Sequence, residues 1–152
     1  MAYVHVAFEP LRGWREVEVS ERRRGLEFAH LMHHLAEEIY PDAEKIRLVC
    51  DNLSTHSPVA FYEAFSPEIA HHLAARKIEF CYTPVHGSWL NNMVEIEISV
   101  LVRQCLKRRL PDIETLSREA TAWCKERNRL GAWSGASEWR MHASSSAVFT
   151  HQ

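Results

Sequence analysis

Ile46 to Cys50 (Ile-Arg-Leu-Val-Cys) is a short run rich in β-formers that stops at Asp51-Asn52. An apolar run of this length, bounded by turn-forming residues, reads as a buried central strand. Such a strand needs neighbours on both edges and cover on both faces. The rest of the chain offers them. Tyr3 to Phe8 reads as a strand that turns through Arg12-Gly13 into an alternating partner, Trp14 to Val19. Ser20 reads as the N-cap of a helix whose Phe28, Leu31, Met32, Leu35 and Ile39 recur at helical spacing up to Tyr40-Pro41. Two short helices are predicted at Pro58 to Phe65 and Pro67 to Arg76, then a strand at Ile78 to Tyr82. A long helix from Met93 to Arg108 and another from Ile113 to Arg127, opened by Pro111-Asp112, complete the order. The series β-β-α-β-α-α-β-α-α predicts an α/β fold, a mixed sheet with helices packed on its faces.

The 152 residues suit one domain, with no repeat or linker to divide them. Eighteen Lys+Arg against 20 Asp+Glu give a net charge of −2, so bulk charge does not mark a nucleic-acid binder. Fourteen of the cations are Arg, a bias that fits phosphate contacts and equally fits a GC-rich genome. No apolar run approaches the ~20 residues of a membrane helix, and the start shows no secretory signal. A cytoplasmic location follows as the expectation. Cys50, Cys81, Cys105 and Cys124 lie inside apolar runs, without zinc-knuckle or disulfide spacing, and read as reduced thiols.

The chemistry is expected near Asp51. In open α/β sheets functional groups gather at the carboxyl ends of strands, and Asn52 and His56 stand close in sequence. The competing reading is an Asx turn that merely leads into the next segment. A second candidate is Glu95, in Trp89 to Glu97 at the start of the long helix. Val94, Ile98, Leu101 and Cys105 mark that helix's core face. Glu95 falls about 100° from Val94 and borders the face, whereas Glu97, about 200° from Glu95, is expected to point away. Both acids could equally do no more than favour the helix N-terminus. Converging carboxylates suit Mg²⁺, which takes one or two protein carboxylates and completes its shell with phosphates and water. His30, His33, His34, His71 and His72 lack metal-ligand spacing and read as helix histidines. Cys50 turns to the face opposite Asp51. Lys107-Arg108-Arg109 reads as a basic cluster at a helix C-terminus, suited to the helix dipole or to phosphate.

Asp51-Asn52-Leu53-Ser54-Thr55-His56, then Tyr82 to Asn91 (Tyr-Thr-Pro-Val-His-Gly-Ser-Trp-Leu-Asn), then Glu95-Ile96-Glu97, resemble the DDE catalytic domain of mariner-like bacterial insertion-sequence transposases. Arg103 to Leu106, Phe8 to Trp14 and Tyr40 to Ile46 are similar to the family as well. The resemblance spans about Val4 to Arg140. It implies a ribonuclease-H-like fold that cuts transposon ends and joins them to target DNA with Mg²⁺ or Mn²⁺ held by three acids. Asp51 matches the second acid and Glu95 the third. Asn52, His56, His86, Trp89 and Asn91 match residues around the site, and Arg103, Lys107, Arg108 and Arg109 are the candidate DNA contacts.

The family's first Asp sits on a strand ahead of Tyr3 to Phe8, and its helix-turn-helix region lies further ahead. The aspartates here are Asp42, Asp51 and Asp112. Asp42 falls in a helix-to-strand connection, and Glu9 ends the wrong strand. The expectation is therefore a ribonuclease-H-like sheet over residues 1–140 that lacks its first strand, with 141–152 a diverged, weakly structured tail. An extra residue at Asn91-Asn92 rotates Glu95 by about 100° if it lies within the helix, and is absorbed if it lies in the loop. Three functions follow: a transposase fragment inactive alone, half of a frameshift-split transposase completed by an upstream-frame polypeptide, or a non-catalytic module binding DNA or the full-length transposase. An active form is expected to be a homo-oligomer.

Overall fold

Gly13 makes the first turn at φ 61°, a conformation open to glycine, and its N–H donates to the Pro10 carbonyl at 3.3 Å. The turn pairs β1 (Tyr3–Glu9) with β2 (Trp14–Ser20) antiparallel, in register from Tyr3↔Ser20 to Glu9↔Trp14. The computed structural model describes residues 2–22, 25–51, 54–83, 92–131 and 146–151. Ser20 does not cap a helix. It ends the β1–β2 ladder, and its hydroxyl pairs with His5 Nε2 and donates to the Arg22 carbonyl. Helix α1 begins later, at Gly25–His34, and widens into a π turn over Leu35–Ile39.

Strand β3 (Ile46–Cys50) pairs parallel with β4 (Ile78–Tyr82), as its buried apolar pattern predicts. The crossover carries α2 (Val59–Ala64) and α3 (Pro67–His71), the latter continued by a π turn over His72–Lys77. Lys77 closes that turn from a buried position, its Nζ donating to the carbonyls of Tyr40, Pro41 and Ala43. Those carbonyls lie just beyond the π turn of α1, so one ammonium ties the end of the crossover to the connection that leads into β3. Helix α4 (Asn92–Gln104) stops short of the expected Arg108; the Cys105 and Leu106 amides still bond four residues back, and the Leu106 amide also reaches the Leu101 carbonyl, five back, as the last turn loosens. Helix α5 (Ile113–Leu130) starts where predicted: Asp112 Oδ1 accepts from the Thr115 amide at 2.6 Å. Among the described residues no helix is long and apolar enough to cross a membrane.

The largest departure from expectation is β5 (Ser146–His151). The sheet order is β2-β1-β5-β3-β4, so part of the stretch expected to be a tail lies in the middle of the sheet. The open slot expected from a missing strand is filled. Ala147-Val148-Phe149-Thr150 does carry a strand signal, masked by the serines ahead of it.

Alternation splits the core across the two faces. Ala7, Leu48 and Cys50 pack with Phe28, Leu31, Leu35, Phe61 and Leu73 under α1 to α3. Val6, Phe8 and Val17 pack with Val94, Ile98, Leu101, Ala120 and Cys124 under α4 and α5. The core stripe predicted for α4 is thus in place, with Cys105 packed at its edge.

Glu97 belongs to that stripe too. It points away from the Glu95 side, but into the protein rather than to solvent, because it stands three residues after Val94 and four before Leu101. It is 1% exposed and meets Arg15 Nε at 3.0 Å and Arg127 at 3.1 Å. Arg15, equally buried, shares Trp123 with Arg127 as a cation–π surface at 5.9 and 6.0 Å. The Arg15 amide and side chain also bond Asn128, whose Nδ2 donates back to the Arg15 carbonyl. Burial lowers the Arg15 pKa, Glu97 opposes that shift and Arg127 adds to it. Removing one partner of a buried pair strands the other charge, which costs about 3–5 kcal/mol. Glu97→Ala is therefore expected to lower the urea-unfolding free energy by about that much. A loss below about 1 kcal/mol, the range of exposed pairs, contradicts the clamp.

Candidate functional site

Asp51 follows the last residue of β3 directly, so its backbone is fixed by two ladders that end at Cys50. Its side chain is 35% exposed and 2.6 Å from Nδ1 of His56. His56 is 2% exposed. Its ring lies against Phe28, with centroids 5.0 Å apart, and its carbonyl accepts from the Tyr82 hydroxyl at 2.9 Å. Tyr82 ends β4, and the next amide, Thr83, donates to the Cys50 carbonyl at 3.0 Å. The ends of both parallel strands thus fix a buried imidazole that orients a partly exposed carboxylate. Such second-layer contacts hold a carboxylate in one orientation.

The sequence placed Asp51 and His56 together and the structure agrees. Tyr82 and Phe28 were missed as supports, although Tyr82 stands at the end of the neighbouring parallel strand. Cys50 is fully buried on the face under α1 to α3, and burial followed by the nearby Asp51 charge pushes its thiol up to about 12. It is no nucleophile.

Glu95 is exposed in the first turn of α4, and its carbonyl accepts from Ser99 Oγ at 2.9 Å. Asn52, His86, Trp89 and Asn91 lie outside the described residues. Arg103 is exposed in the last turn of α4, whereas Lys107, Arg108 and Arg109 lie beyond the helix on the connection to α5. The dipole of α4 therefore does not account for those three. Arg108 pairs with Glu119 at 3.2 Å. A cleft of about 640 Å³ lined by Arg22, Arg109, Asp112 and Leu116 lies near them and includes neither Asp51 nor Glu95.

Asp51 and Glu95 offer the hard oxygen donors that Mg²⁺ and Mn²⁺ prefer, and partial exposure leaves the Asp51 carboxylate reachable. Among the described residues no group of three or more acids, histidines or cysteines stands together as a metal site. The described chemistry is that of one oriented carboxylate at a strand end, with a second exposed in the first turn of α4.

The profile of one sequence family, described as DDE superfamily endonuclease, matches residues 2–117. That span runs from β1 into α5 and contains Asp51, His56 and Glu95. No curated protein and no solved structure matches the chain significantly. With the family profile covering most of its length, the chain belongs to the DDE superfamily of endonucleases.

Proposed function

We propose that this chain is the catalytic-domain portion of a transposase of the mariner-like bacterial insertion-sequence type, acting on transposon-end and target DNA. The observation that carries the reading is Asp51, held at the carboxyl end of a buried parallel strand by an imidazole that is itself buried. Asp51 and Glu95 are the acids assigned to a Mg²⁺ or Mn²⁺ site. When bound, the ions supply charge neutralisation at the scissile phosphate and activation of the attacking oxygen. His56 acts through Asp51 as a positioning residue, keeping one carboxylate oxygen engaged. Asn52, His86, Trp89 and Asn91 are assigned to the same site by their match to the family motif.

Two acids are fewer than the three of the family pattern, which supports slow strand cleavage by the chain alone. Mn²⁺ affinity, measured calorimetrically, is expected to fall by more than about tenfold in Asp51→Asn and Glu95→Gln, and by about tenfold in His56→Ala. Slow, metal-dependent nicking of labelled DNA is expected to follow the same order. Unchanged Mn²⁺ affinity in Asp51→Asn and Glu95→Gln overturns the assignment.

Arg103, Lys107, Arg108 and Arg109 are assigned to DNA phosphates. Replacing all four with Ala is expected to weaken duplex binding and to reduce the slope of log K against log salt by about one per lost contact. An unchanged slope removes them from the interface. Salt-dependent binding that persists at full strength in Asp51→Ala, with no cleavage by the parent chain, favours instead a non-catalytic module on the same scaffold.

A further inference from the structure

The start of β1 lies at the sheet edge where β3 ends. Ala7 and Cys50 stand opposite the same residue of β5, and β1 runs antiparallel to β3. Strand β2 returns to that edge, with Ser20 opposite Tyr3. Asp51 is one residue beyond the level of Cys50, and Ala2 is five residues beyond it on β1, two strands across. At about 4.8 Å per strand and about 3.3 Å per residue, the two are roughly 16 Å apart. One duplex laid along this edge spans that distance in about five nucleotide steps.

The cleft of about 640 Å³ opens here, its lining including Ala2, Glu21, Arg22, Arg109, Asp112 and Leu116. Its two guanidiniums come from separate elements, Arg22 just beyond β2 and Arg109 on the connection from α4 to α5. The backbone of Arg22 is set by the ladder end. The Ser20 hydroxyl, 2.9 Å from the buried His5 ring, donates to the Arg22 carbonyl at 2.7 Å. Among the described residues neither guanidinium has an ion-pair or hydrogen-bond partner, whereas the neighbouring Arg108 is engaged by Glu119.

The acids on the lining narrow the choice of ligand. Asp112 serves its own helix, accepting from the Thr115 amide, so the N-terminus of α5 is already capped and is not the attraction. Glu21 disfavours a multiply charged anion. Two guanidiniums with a carboxylate beside them suit a single negative charge, and Ala2 and Leu116 give it an apolar flank. A backbone phosphodiester has that character, one charge between two sugars, and the guanidinium fork matches its oxygens.

We propose that this cleft seats one backbone phosphodiester of the DNA that lies at Asp51, gripped jointly by Arg22 and Arg109. The proposal rests on the DNA reading given above and is independent of its metal site.

Binding of a fluorescently labelled duplex by the full chain, in EDTA, tests it. Arg22→Ala and Arg109→Ala are each expected to weaken binding about tenfold. Because the two share one phosphate, the double variant is expected to lose much less than the product of the single losses. Glu21→Gln is expected to tighten binding about threefold, a gain that misfolding cannot produce. That gain is expected to vanish when Arg22 and Arg109 are both Ala. Fully additive losses, or Glu21→Gln without a gain, overturn the shared seat. Orthophosphate at constant ionic strength is expected to leave binding unchanged; competition that disappears in the double variant assigns the cleft to a free anion and overturns the proposal. A parent chain that binds no duplex overturns the DNA reading and the cleft together. Duplex binding that Arg22→Ala and Arg109→Ala leave at full strength overturns the cleft alone.

Discussion

Glu97 takes its place between two guanidiniums in a setting where water contributes almost nothing. Arg15 comes from β2, Arg127 from α5 and Glu97 from α4, so one carboxylate ties three elements that hydrophobic contact alone would let slide. Arg15 and Glu97 face each other at 3.0 Å as an ion pair without an aligned hydrogen bond. The surrounding bonds supply the geometry: Asn128 grips the Arg15 backbone from both sides, and the Cys124 thiol donates to the Arg15 carbonyl. Burial of two cations and one anion is not a cheap source of stability. What it does supply is rotational register. With Glu97, Val94, Ile98 and Leu101 all inward, α4 has one orientation, and Glu95 is left on the solvent side. Helix α4 begins at Asn92, and the clamp at Glu97 fixes its rotation.

At the other end of the sheet the same economy of supports acts on Asp51. Neither its position nor its orientation depends on its own contacts alone. The β3 ladder fixes the backbone, the Tyr82 hydroxyl fixes the loop carrying His56, and Phe28 holds the ring. Each support comes from a different element, so the carboxylate is held by the fold rather than by a local turn.

Most of the architecture was legible because periodicity survives burial. The period-2 pattern of β2, the β-forming runs of β1 and β3 and the i, i+3, i+4 spacing of α1 and α4 each identified an element. Asp51 with His56 was legible for the same reason, as polar residues at the end of a buried strand. What escaped were residues whose chemistry runs against their position. Arg15, which drew no reading of its own, shares the inward face with Val17, and Glu97, expected to point away, shares the stripe with Val94 and Leu101. Alternation with Val17 turns Arg15 inward, and the three- and four-residue spacing to Val94 and Leu101 does the same for Glu97. The limits of helices α1 and α4 were misread: Ser20 is used by the strand ladder, a tertiary contact rather than a local preference, and α4 ends at Gln104, four residues short of Arg108.

Strand β5 was hidden for a different reason, and it bears on how this chain folds. Its own residues favour strand, but nothing local says which strands it joins: its His151 pairs with His5, at the opposite end of the sequence. Pairing of that kind closes the longest loop available and brings no return until the hairpin and the parallel crossover both exist. Without β5, β1 and β3 would present bare edges, the arrangement most open to intermolecular pairing. The residues that complete the sheet are thus also those that determine whether its inner edges stay closed.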